Sequence, residues 1–125
     1  MKLRTLTDPK FLEALSKMIS ADIPMQTAFK LKKTISKIDE ERKNYEDLRK
    51  GLLSECGKKD DNGELVVDKN GHVEFSEESK KTFIEKHEEL LDVEVNLPKV
   101  SIREFGDAIK LSTADLFLIE DMLEE

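Results

Sequence analysis

Cys56, His72, His87 and twenty-eight carboxylates are the side chains of this 125-residue sequence with the means to do acid–base, nucleophilic or metal chemistry. Cys56 is the only cysteine. A thiolate nucleophile needs a base and a zinc centre needs several Cys or His ligands at short spacing, and neither pattern surrounds it. It reads as a small apolar residue at a helix end. His87-Glu88-Glu89-Leu90-Leu91 starts like a zinc-protease helix but lacks the second histidine. His87 falls on an apolar helix face and reads as a core-edge residue, whereas His72 follows a turn glycine and reads as an exposed strand residue. Catalytic carboxylates need a desolvated cleft, and runs such as Glu88-Glu89 and Glu124-Glu125 read as solvated. No glycine-rich phosphate loop, nucleophile elbow or kinase motif occurs. No catalytic, cofactor-binding or metal-binding residue is assigned, and no cofactor is expected. A small hydrolase uniting His87 with Asp92 or Glu94 is the weakest of the functional alternatives.

Asp60-Asp61-Asn62-Gly63 and Asp68-Lys69-Asn70-Gly71 invite a calcium-loop reading. With Gly63 as the sixth loop residue, positions one and twelve are Lys58 and Lys69, both cationic. With Gly71 as the sixth, position one is Val66, which has no ligating side chain. Leu65-Val66-Val67 and His72-Val73-Glu74-Phe75 flank the second segment, so a β-hairpin is the better expectation.

The net charge of −7 conceals a division. Residues 1–24 carry +1, residues 25–59 carry +4 and residues 60–125 carry −12. Mutual neutralisation of the halves is the simplest reading. Lys30, Lys33 and Lys37 share a helix face near Lys32, Arg42 and Lys43, a stripe that phosphates could contact. Asp39, Glu40, Glu41, Glu46 and Asp47 on the same helix oppose that, so nucleic acid is not the expected partner. Glu78, Glu85, Glu89 and Asp92 align on a later helix as an acidic face suited to mimicry of nucleic acid. Arg42, Tyr45 and Arg49 form the candidate protein-contact or self-association patch, because Tyr and Arg are enriched at interface anchors.

Helices must position most of these groups. Asp8 caps a helix that opens at Pro9, and Phe11, Leu12, Leu15, Met18 and Ile19 form its apolar face. Ile23-Pro24 ends it. A long helix follows from about Pro24 to Glu55, with Leu31, Ile38, Tyr45 and Leu52 at heptad spacing and a companion seam of Ala28, Ile35, Arg42, Arg49 and Cys56. Ser76 caps a further helix to Leu91, whose apolar face is Phe83, Ile84, His87, Leu90 and Leu91. Val93–Leu97 alternates as a strand, Ser101 and Glu104 have capping-box spacing, and Ala108–Leu111 reads as a short strand. Ser112 and Asp115 open a last helix through Leu116, Ile119 and Leu123. No internal repeat and no long linker is read.

These elements predict one domain over 1–125, divided into an N-terminal helix (1–23), the long helix (24–56), a β-hairpin region (57–75), a helix (76–92) and a strand, turn and C-terminal helix (93–125). The fold class is α+β, mainly helical: a long antiparallel helical hairpin, coiled-coil-like, with a β-hairpin near its tip and a small α+β base. Leu31, Ile38, Tyr45 and Leu52 are expected to face Phe83, His87 and Leu90. No apolar run approaches the roughly 20 residues of a membrane span and no signal peptide opens the chain. One cysteine and no internal disulfide suit the cytoplasm.

Ile23-Pro24-Met25 opening a Lys-rich long helix, Asp60–Val67, and Leu111-Ser112-Thr113-Ala114-Asp115-Leu116 before an acidic helix together give the chain a layout that resembles a family of small phage- and prophage-encoded proteins classed as a domain of unknown function. The resemblance implies a phage or prophage origin and a host-cytoplasmic setting, and brings no catalytic residues. Its functional expectation is a non-enzymatic accessory protein working through protein–protein contact or assembly, with acidic inhibition of a host nucleic-acid enzyme or defence system as the alternative.

Overall fold

The computed structural model describes residues 1–125 and is mainly helical. Five α-helices follow in order: α1 (Leu3–Leu6), α2 (Pro9–Ile19), α3 (Met25–Cys56), α4 (Glu77–Leu91) and α5 (Thr113–Ile119). Short 3₁₀ helices cover Arg103–Ala108 and Glu120–Met122, and β1 (Val100–Ser101) pairs in parallel with β2 (Leu123–Glu124). The chain divides into two compact units, Met1–Arg42 with Glu94–Glu125, and Lys43–Val93.

In the first unit the helix starts follow local chemistry. The Asp8 carboxylate accepts the Lys10 N–H at 2.9 Å and Pro9 occupies the first helical position of α2. Phe11, Ala14, Leu15 and Met18 are buried, joined by Leu3, Leu6, Leu31, Ile38, Val95, Val100, Phe105, Ile119 and Met122. Ile19, expected on this apolar face, is instead exposed.

The first part of α3 is held to this core by two buried threonines. Thr27 donates its hydroxyl to Glu104 at 2.6 Å, and Thr34 donates to the Pro98 carbonyl at 2.7 Å. This corrects the expected companion seam: Thr27 and Thr34 are buried, while Ala28 and Ile35, one residue later, are only half-buried. A hydroxyl enters a core when a partner awaits it, and both partners lie more than 60 residues away in sequence. The expected capping role of Glu104 is displaced by the same bond.

The C-terminal expectations need further correction. Ser112 and Asp115 form a complete capping box at α5. The helix stops at Ile119, however, and Leu123 lies in β2 instead of continuing it. Ala108–Leu111 contains no strand, and Val93–Leu97 contributes only an antiparallel bridge from Glu94 to Lys2.

In the second unit, Lys43–Val93, the expected hairpin forms a tighter knot. The Lys58 N–H donates to Glu74 O at 2.8 Å, the Glu74 N–H to Val66 O at 2.9 Å and the Val66 N–H to Lys58 O at 2.8 Å. Three segments thus close a ring of backbone bonds, with bridges Lys59–Leu65 and Val67–Val73. The connecting turns are equivalent. Asp60 Oδ1 accepts from the Asn62 and Glu64 N–H groups, and Asp68 Oδ1 accepts from those of Asn70 and His72. Gly63 and Gly71 hold the positive φ that each turn requires. Eight residues separate matching positions, so an internal repeat is present where none was expected; Asp-x-Asn-Gly at positions 60 and 68 was its signal.

The expected pairing of α3 and α4 over their length is not what holds Leu31 and Ile38, which are buried in the first unit. Within the second unit α3 meets α4 where Tyr45 bonds His87 and where Glu55 pairs with Lys86. The α4 helix starts as expected, with Ser76 accepting the Ser79 N–H at 3.2 Å, but none of its residues is fully buried and Ile84 is exposed.

Two glycines give opposite expectations. A Cβ on Gly57 would sit 2.6 Å from Leu53 O and Leu65 Cδ2 and 2.7 Å from Val73 Cγ1, so Gly57→Ala should destabilise the chain by about 1–3 kcal/mol. Gly51 lies inside α3 with open space around it, so Gly51→Ala should stabilise by about 0.5–1 kcal/mol. Urea denaturation of both variants checks the pair. Acid should also destabilise the fold. Asp115 is held below its usual carboxylate value first by Lys17, Glu104 first by Thr27, and Asp68 first by the His72 N–H. Their contribution is complete above the unfolded carboxylate range of about 4 and is lost as pH falls through the lowered folded values. The urea midpoint should therefore decline below about pH 4, less steeply in Asp115→Asn.

Candidate functional site

The second unit carries an aromatic stack at its centre. Tyr45 is only 7% exposed, and its hydroxyl lies 2.7 Å from His87 Nε2. The Phe83 ring stacks on His87 at 5.5 Å and 8°, and Phe75 stacks on Phe83 at 5.1 Å and 30°. Burial raises the Tyr45 hydroxyl above its usual value of 10, while the Arg49 guanidinium draws it back. Tyr45 and Phe83 thus engage His87 from two sides.

This corrects the expectation of an exposed contact patch at Arg42, Tyr45 and Arg49. Tyr45 faces inward, Arg49 is half-buried in the same unit, and the half-buried Arg42 belongs to the other unit. Glu78, Glu85, Glu89 and Asp92 are all exposed on or just beyond α4, as the acidic-face reading requires. Asp92 lies in the second unit with His87, whereas Glu94 belongs to the first, 3.3 Å from the Met1 amino group. Cys56 is buried, and no group of three or more His, Cys, Asp or Glu side chains is placed to hold a metal ion.

Beside the stack, α3 and α4 border a groove of about 490 Å³. Its apolar lining is Leu48, Leu52 and Leu90, with Gly51 among them, and Leu48 is 58% exposed. Asp47, Glu55 and Glu89 supply carboxylates, and Lys86 is tied to Glu55 at 3.1 Å. The groove is therefore apolar and net acidic.

The first unit presents the converse surface. Met25 is 83% exposed and Phe29 59% exposed, one turn apart on α3. Lys33 lies over the Phe29 ring at 4.9 Å, and Phe29, Lys32, Lys33, Lys37 and Pro98, with the carboxylate of Glu40, border a depression of about 420 Å³. Between Met25 and Ile38 the helix carries four lysines and no carboxylate. Sequence periodicity singled out the lysines but not Met25 and Phe29, whose exposure follows from the burial of Thr27 and Thr34 on another side of the helix.

No family model matches this chain, and neither a curated protein nor a solved structure matches it. No helix is long and apolar enough to cross a membrane.

Tyr45→Phe should cost about 0.5–1.5 kcal/mol through loss of the His87 bond. Tyr45→Ala, which also empties a buried site, should cost about 3–5 kcal/mol. Thermal denaturation of the two variants separates the bond from the packing.

Proposed function

We propose that this chain is a non-enzymatic interaction or assembly protein of the phage or prophage accessory type, acting on a protein partner in the host cytoplasm. The observation that carries the reading is the exposure of Met25 and Phe29 beside the exposed cations Lys32 and Lys33. Large apolar side chains placed together in water mark a binding surface more often than isolated ones do. The resemblance of its sequence layout to small phage and prophage proteins is what suggests the setting. A short antiparallel, coiled-coil-like pairing of Lys43–Cys56 with α4 is the scaffold proposed for the groove, and the knot of turns stands as its β-hairpin.

A second reading keeps the acidic face. Glu78, Glu85, Glu89 and Asp92 are exposed, which favours charge mimicry toward a host nucleic-acid enzyme. The two readings respond differently to substitution. Affinity capture from the bacterial host is expected to recover a partner with the wild-type chain and to lose it with Phe29→Asp, at unchanged melting temperature. Loss with Glu78, Glu85 and Glu89 changed to Gln, together with retention by Phe29→Asp, would transfer the function to the acidic face. A chain that recovers no partner and sediments as a strict monomer would overturn both.

A further inference from the structure

Gly51 has no evident use within one copy of the chain. It lies in the interior of α3, where glycine disfavours the helix, its φ is not positive, and a Cβ there would touch nothing. What its missing side chain does is leave the groove open along Leu48, Leu52 and Leu90. A ligand for this groove needs an apolar side chain to fill it and cations to meet Asp47 and Glu89. The start of α3 has that chemistry, with Met25 and Phe29 one turn apart and Lys32 and Lys33 in the next turn. An amphipathic helix seated in an apolar groove reads its partner through such spacing.

We propose that the Met25–Lys37 face of one copy docks in the Gly51 groove of a second copy, with Phe29 among the leucines and Lys32 and Lys33 toward Asp47 and Glu89. The proposal rests on the protein-binding reading and names its partner. In this contact Phe29 comes from one copy and the Gly51 groove from the other. The two surfaces differ, so the contact is head-to-tail. Each added copy offers a fresh groove and a fresh helix face, and the assembly grows as a ring or an open chain. Charge complementarity makes the contact salt-sensitive, because its lysines and carboxylates are solvent-exposed.

Sedimentation velocity over about 10 μM to about 1 mM, a range suited to modest affinities, is the test. The wild-type chain is expected to self-associate reversibly, and less at about 500 mM than at about 50 mM salt. Phe29→Asp removes the inserted group and Gly51→Gln fills the groove; each alone should weaken association about tenfold or more while leaving the circular dichroism spectrum unchanged. Mixed in equal amounts, the two variants should form a one-to-one dimer and nothing larger, since only one productive contact is left between them. Lys32→Glu with Lys33→Glu should behave as Phe29→Asp does. A wild-type chain that stays monomeric throughout overturns the proposal, as does a mixture that stays monomeric or a Gly51→Gln variant that associates like wild type. Recovery of an unrelated partner by a monomeric wild-type chain would leave the protein-binding reading standing and this one refuted.

Discussion

The long helix α3 has to bury a stripe along its length although its sequence supplies few large apolar residues for the task. In the first unit the shortage is met by Thr27 and Thr34, which are buried along with Leu31 and Ile38 and donate to Glu104 and to the Pro98 carbonyl. A buried hydroxyl without a partner costs about 1–3 kcal/mol. No buried side-chain nitrogen or oxygen in the structure lacks a partner. The two bonds therefore tether residues 98–104 to α3, and the buried Val100 and Phe105 follow from that placement. Val100 in turn carries the parallel pairing with Leu123 that ends the chain's helical run.

The second unit solves a similar shortage with backbone and aromatic rings. Its three extended segments are too short for a sheet, and they satisfy one another through the closed ring of Lys58, Val66 and Glu74. One oxygen of each Asp carboxylate then accepts two backbone N–H bonds, which closes the turn without burial. Gly57 lets Leu53, Leu65 and Val73 converge at the end of α3. No residue of α4 is fully buried, and its Phe83 and His87 pack instead by ring contact with Phe75 and Tyr45.

Such economy has a consequence at the surface. Side chains that a thicker core would absorb are left in water, Met25, Phe29, Leu48 and Phe117 among them. Around Met25 and Phe29 the charges are mainly cationic, while around Leu48 they are mainly acidic. An apolar centre with charges of one sign gives a surface both affinity and selectivity, since desolvation drives the contact and the charges discriminate among partners.

Local rules made much of the secondary structure legible in the sequence. Pro9 after Asp8, Ser76 before two glutamates, and Ser112 three residues before Asp115 each place a helix start, because a cap is a contact between near neighbours. The Asn-Gly pairs placed both turns for the same reason, and the heptad identified Leu31, Ile38 and Tyr45 as buried. Tertiary structure alone decided the rest. Whether Thr27 or Ala28 faces the core depends on Glu104, 77 residues away from Thr27, and helical periodicity carries no record of so distant an acceptor. Tyr45 was legible both as a heptad position and as a contact residue, and the His87 nitrogen that meets its buried hydroxyl decides between the two. The parallel pair Val100–Leu123 left no local signal either, since each strand has two residues and its register is set by what the surrounding helices bury.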